Sequence, residues 1–129
     1  MHRGNIFLSF LLAFVSVLLL SCSTTVMGPA QEVRAVYFLG DMEAAEAKSI
    51  NFVYDAAVKA MDDLKLSVSH KTQDALSAKI IAHDSQDRKI TVRLYAVAEK
   101  STKIIIRAGF FGDETKSRLI YRRILDNLQ

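Results

Sequence analysis

The sequence predicts a small α+β domain, two helices packed on one face of an antiparallel sheet, and three observations carry that prediction. Four short segments between residues 66 and 108 alternate apolar and polar side chains, the period of a half-buried strand. Residues 49–64 and 114–128 instead place apolar side chains three and four apart, the stripe of an amphipathic helix. No repeat or second domain separates these segments, so one core has to serve them all.

Taken in order, residues 33–39 are rich in aromatic and β-branched side chains and read as a strand that continues past Gly40 through residues 42–47, with a kink at the glycine. Ser49 is the expected cap of a helix in which Val53, Tyr54, Ala57, Ala60, Met61 and Leu64 share a stripe, opposite Asn51, Asp55, Lys59 and Asp62. Strands are expected at 66–71, 76–83, Lys89–Ala98 and 102–108, as an antiparallel meander. Their core-facing side chains by the period of two are Leu66, Val68, Leu76, Ala78, Ile80, Ile90, Val92, Leu94, Ile104, Ile106 and Ala108. Asp113 then caps a helix over 114–128 that presents Ile120, Tyr121, Ile124, Leu125 and Leu128. Glu114 at its start and Arg122 and Arg123 near its end suit the helix dipole.

The chain has 129 residues, and 17 Lys and Arg against 14 Asp and Glu give a net charge of +3. Setting Arg3 aside leaves a nearly neutral remainder, which does not argue for nucleic acid. Charge is uneven along the chain. Asp41, Glu43, Glu46, Asp55, Asp62 and Asp63 crowd residues 41–64, whereas cations dominate from Gln86 onward, so an acidic and a basic side are expected.

Residues 1–5 carry His2 and Arg3, residues 6–20 are uncharged and apolar, and small Ser21 precedes Cys22, the single cysteine. That is the plan of a signal peptide. About fifteen apolar residues span roughly 22 Å as a helix, short of the roughly 30 Å hydrocarbon core of a bilayer. Leu19-Leu20-Ser21-Cys22 resembles the bacterial lipobox. The resemblance implies cleavage before Cys22 and acylation of its side chain, and Ser23 in place of Asp implies sorting to the outer membrane. The domain expectation is therefore a leader at 1–21, a lipidated cysteine and tether at 22–32, and a folded domain at 33–129. A retained leader acting as an inner-membrane anchor is the alternative.

A second resemblance rests on Ile106-Arg107-Ala108-Gly109-Phe110-Phe111-Gly112-Asp113-Glu114 with Ser117. This ending is similar to the "IRxGxFGDxxxS" of a family of uncharacterised bacterial lipoproteins. Tyr37-Phe38-Leu39-Gly40 and the helix from Tyr54 to Leu64 extend the likeness over nearly the whole domain. It implies location without mechanism. Physically, Gly109 and Gly112 free a strand-to-helix corner, and Phe110 or Phe111 is expected to plug the core beside it.

Catalytic chemistry finds no foothold in the sequence. No GxSxG elbow, phosphate loop, dinucleotide fingerprint or calcium loop occurs. Asp62-Asp63 and Asp113-Glu114 are neighbours on helices and point apart. His70 and His83 read as surface strand residues toward opposite ends of the hairpin 66–83, too separated to share a metal.

The outward strand positions Lys79, Ile81, Arg93, Tyr95, Val97, Lys103, Ile105 and Arg107 mix cations, an aromatic and branched groups. A sheet face of that kind can bind, although ordinary solvated β-structure reads the same way. The expected sites are lipid on Cys22 and a binding face at Tyr95, Arg107, Arg93 and Lys103, with no catalytic, cofactor or metal residues. The expected partners are the membrane and an envelope protein. The rival reading is a small periplasmic hydrolase or ligand carrier with a pocket between helices and sheet.

Overall fold

The computed structural model describes residues 35–129. The expected leader and tether, Cys22, and the first two residues of the expected strand 33–39 lie outside the described residues. The elements are β1 (Val36–Phe38), β2 (Asp41–Glu46), α1 (Ile50–Asp63), β3 (Ser67–Gln73), β4 (Ser77–His83), β5 (Lys89–Ala98), β6 (Ser101–Ala108) and α2 (Glu114–Asn127). Their strands form one six-stranded antiparallel sheet in the order β1-β2-β6-β5-β4-β3. Both helices lie on one face and against each other, which is the α+β layer the periodicities predict. The meander β3 to β6 returns the chain to β2, so β6 closes beside a strand more than fifty residues earlier.

The first strand departs from expectation. The chain does not run through Gly40 with a kink but reverses there, and β1 and β2 pair as a hairpin with Phe38 opposite Asp41. Leu39 and Gly40 both have positive φ, 49° and 87°. That is the backbone of a two-residue turn whose twist matches its strands. Leucine at the first turn position hid the hairpin, because such turns usually announce themselves with Asn or Gly.

The helix-facing alternation is otherwise as predicted. Ala78, Ile80, Ile90, Val92, Leu94, Ile104, Ile106 and Ala108 are buried with Met42, Ala44, Val53, Met61, Ile120 and Ile124 in one core. Val68 keeps the predicted direction, opposite Ala82, yet is exposed, and Leu76 lies exposed beside the turn at Asp74. β3 is the edge strand and barely meets α1, so pointing toward the helical side does not bring cover. Ile105 shows the converse: it points to the open face but is buried, lying in register between Glu43 and Arg93.

Ser49 occupies the N-cap of α1 with an extended backbone, but its hydroxyl makes no capping bond. The helix ends in a Schellman arrangement, Leu66 N donating to Met61 O and Lys65 N to Asp62 O, with Lys65 at φ 58°. Asp113 caps α2 as expected, accepting from Lys116 N at 2.9 Å. Arg122 and Arg123 sit a turn earlier than the last one, where the dipole effect has faded. Among the described residues no helix is long and apolar enough to cross a membrane.

Ser117 is fully buried and its Oγ has no hydrogen-bond partner. An unmade bond leaves nothing to lose, so Ser117→Ala is expected to stay within about 0.5 kcal/mol of the parent in urea unfolding. Ile106→Ala, by contrast, empties a packed site and is expected to cost about 3 kcal/mol in the same measurement.

Candidate functional site

The open face of the sheet carries the four expected binding residues, and register places them close together. Lys103 lies directly opposite Tyr95, and Arg93 opposite Ile105 on the neighbouring row. Their availability differs. Tyr95 is exposed, whereas Lys103 pairs with Glu43 at 3.0 Å with both side chains about half exposed, a contact worth little in stability. Arg93 donates to Asp41 Oδ2 at 3.1 Å, and its Nε is buried without a partner.

Arg107 is committed to the fold on three sides. Nε donates to Asp41 Oδ1 at 2.8 Å, Nη2 to Leu39 O at 2.8 Å and Nη1 to Phe110 O at 3.0 Å. One guanidinium thus holds the β1–β2 turn and the β6–α2 loop in register, using the rigid fork that lysine lacks. Acidic β2 lies beside basic β6, so on this face the charges cancel in pairs. The expected separation into an acidic and a basic side does not hold here.

Beneath the guanidinium two glycines meet backbone to backbone. A Cβ on Gly112 would lie 2.3 Å from Gly40 Cα and 2.6 Å from Tyr37 Oη, and one on Gly40 would lie 2.6 Å from Phe111 O. The two short stretches singled out in the sequence, Tyr37 to Gly40 and Gly109 to Asp113, are therefore one joint. Gly109 and Gly112 have φ of 78° and 84°, as the corner requires.

The phenylalanines of that corner do not plug the core. Phe110 and Phe111 are 85% and 87% exposed and stack edge to face, with ring centroids 4.9 Å apart. Two positive-φ glycines on either side swing the loop outward, and the core position is already taken by Ile106 and Ile120. Phe38 and Leu39, 70% and 78% exposed, project from the hairpin on the other side of the joint. Sequence reasoning missed Asp41 and this exposed cluster. The available signal was two apolar loop tips, each next to a glycine.

Beside Phe110 the open face holds a cavity of about 550 Å³ lined by Arg88, Lys89, Thr91, Arg107, Gly109 and Phe110. It is not where the rival reading put a pocket. The middle of the layer between helices and sheet is filled by fully buried Met42, Met61, Ile80, Leu94, Ile104 and Ile120, and a smaller cavity of about 210 Å³ opens at its edge, lined among others by Leu64, Leu66, Lys116 and Ile120.

Other charged groups also join elements. Asp84, with a side chain only 5% exposed, accepts from Lys116 Nζ on α2, from Arg88 Nε at 2.8 Å, and from the amides of Gln86 and Arg88 at 2.9 Å. The Lys116 ammonium, with the Arg88 amide next, holds its carboxyl far below the ordinary 3.8. Tyr121 Oη donates to Glu46, and burial together with that carboxylate keeps the phenol well above its usual range. His70 and His83 are nearer than expected: His70 pairs with Ile81 in the middle of the hairpin and His83 with Ser67 at its open end, two positions along β4 from Ile81 and on the same open face. β3 runs on to Gln73, past the expected end at residue 71, so the turn lies farther from His70 and closer pairing with β4 follows. Among the described residues no group of three His, Cys, Asp or Glu side chains is placed to hold a metal ion.

Fold and site together define a small α+β module whose charged side chains lock strands to helices and whose apolar side chains crowd one corner. The chain belongs to the family described as Protein of unknown function (DUF3568), whose sequence model matches residues 5–127. Among curated proteins none matches it.

Gly112→Ala is expected to cost more than about 2 kcal/mol in urea unfolding, since a methyl group would overlap Gly40 and the residue would keep a positive φ. Arg107→Lys, which gives up the planar fork to exposed carbonyls that water can still reach, should lose about 1 kcal/mol by the same measurement. Asp84 sets an acid response. Its folded pKa is depressed, so the stabilisation is fully present above the unfolded value of 3.8 and is lost as pH falls from there toward the folded value. Thermal unfolding followed by circular dichroism should show Asp84→Asn less stable at neutral pH and with a flatter decline below pH 3.8 than the parent.

Proposed function

We propose that this chain is a membrane-anchored envelope lipoprotein, lipidated on Cys22 after removal of residues 1–21, whose folded domain is a non-catalytic binding or structural module. The observation that carries the reading is Cys22 itself. The single cysteine of the chain follows a small residue at the end of an uncharged apolar run, with Arg3 ahead of it. Several acyl chains, at about 0.8 kcal/mol for each buried CH₂, make a lasting tether. With Ser23 next in line, the proposed destination is the outer membrane, the domain facing the periplasm.

The reading of the domain is supported by how its charges are used. Asp41, Asp84 and Glu46 each join separate elements, while Tyr95 and Lys103 stay accessible on the open face for an envelope partner. A ligand carrier is the second reading, favoured by the cavity of about 550 Å³ with its mixed cationic and aromatic lining.

Mass spectrometry of the protein from membranes should find a terminal peptide that begins at Cys22 and carries acyl mass. Cys22→Ala should abolish that mass and move the chain out of the membrane pellet. Unchanged maturation and fractionation in the variant would sink the proposal. A photoreactive residue at Tyr95 should crosslink one envelope protein in native membranes, and a cavity-bound small molecule with no protein adduct would favour the carrier instead.

A further inference from the structure

We propose that Phe38, Leu39, Phe110 and Phe111 form a membrane-contacting tip that enters the surface of the bilayer to which Cys22 is tied, an inference that rests on the lipid anchor proposed above. All four are at least 70% exposed. They come from turns some seventy residues apart, and the Gly40–Gly112 contact with the Arg107 clamp brings those turns together. A cluster so assembled is a built surface, unlike single apolar side chains scattered over a domain.

None of the four serves the fold. Leu39 sits at φ 49°, a conformation in which Asn or Gly is cheaper, and its side chain gains no burial in return. Phe110 and Phe111 lie chiefly against each other. The joint beneath them is rigid, so the tips are held out of the core by backbone contact and a three-way guanidinium. Apolar side chains fixed in water at a conformational cost point to an apolar medium that receives them.

Shape and charge select a lipid surface as that medium. The tips project from two turns, which suits a deformable apolar layer better than a preformed cleft. Lys89, exposed, and Arg88, about half exposed while its Nε holds Asp84, stand next to Phe110 at the mouth of the cavity and match the phosphates of lipid head groups. Such side chains reach the boundary between head groups and acyl chains, about 5–10 Å deep. Thirteen residues separate Cys22 from β1, a reach of at most about 50 Å even fully extended, so the anchor keeps the tip at high effective concentration near the bilayer. Weak insertion is then sufficient.

The chain has no tryptophan, so Phe111→Trp is a single-site reporter. Phe52→Trp on α1 is its control, exposed but beside Lys48 and Lys100 at the opposite end of the sheet. Full-length protein from membranes is reconstituted in vesicles of phosphatidylethanolamine and phosphatidylglycerol with brominated acyl chains, and acylation of Cys22 is read separately by mass. The expected result is a blue-shifted emission at 111, quenched by bromine at least about twofold more than at 52. Acylated protein with equal quenching at both positions overturns the insertion and leaves the lipoprotein reading standing. A blue shift at 111 without bromine quenching also overturns it, since a protein surface then covers the tip. An unmodified Cys22 removes the anchor and the insertion with it.

Discussion

The structure depends on one joint, where Gly40 and Gly112 touch and Arg107 spans the seam to Asp41, Leu39 O and Phe110 O. It binds the first hairpin to the last corner, two parts of the chain that share no local contact. Without it the β1–β2 turn and the β6–α2 corner would have no direct tie to each other. A guanidinium suits the task because its donors are planar and preset, so three acceptors are met with little further loss of freedom.

Two other joins follow the same principle. Lys116 and Arg88 converge on Asp84, tying the start of α2 to the β4–β5 turn, and Tyr121 reaches Glu46 at the far end of β2. Helix α2 is thus pinned at its first turn and at its middle, and Ile120 and Ile124 bury its apolar side. Asp41, Asp84 and Glu46 are thus occupied as latches. The open face and the projecting corner are what the fold leaves for encounters with other molecules.

Much of the fold was legible in the chain. The alternation of Ile80, Val92, Leu94, Ile104 and Ile106, and the stripe Val53, Ala57, Ala60, Met61, reported strands and helices because each is a local periodicity with one buried side. The candidate face was legible in part. All four side chains lie on the face where alternation put them, but Arg107 and Arg93 are tied down along it to Asp41, since a side chain long enough to cross a strand takes a carboxylate if one is in reach. Phe110 and Phe111 resembled core residues only because hydrophobicity says nothing about which way two positive-φ glycines will aim a loop.

What the sequence determined by itself was therefore element type and its inward side, for hydrogen-bond period and side-chain pattern act within a few residues. Tertiary structure alone decided that the chain reverses at Leu39-Gly40, that β2 lies beside β6, that the corner phenylalanines face water, and that His70 and His83 share a face two positions apart. Those outcomes come from contacts between residues 66 and 68 positions apart and from the register of paired strands. No local pattern encodes such contacts, because their free energy exists only once the sheet has closed.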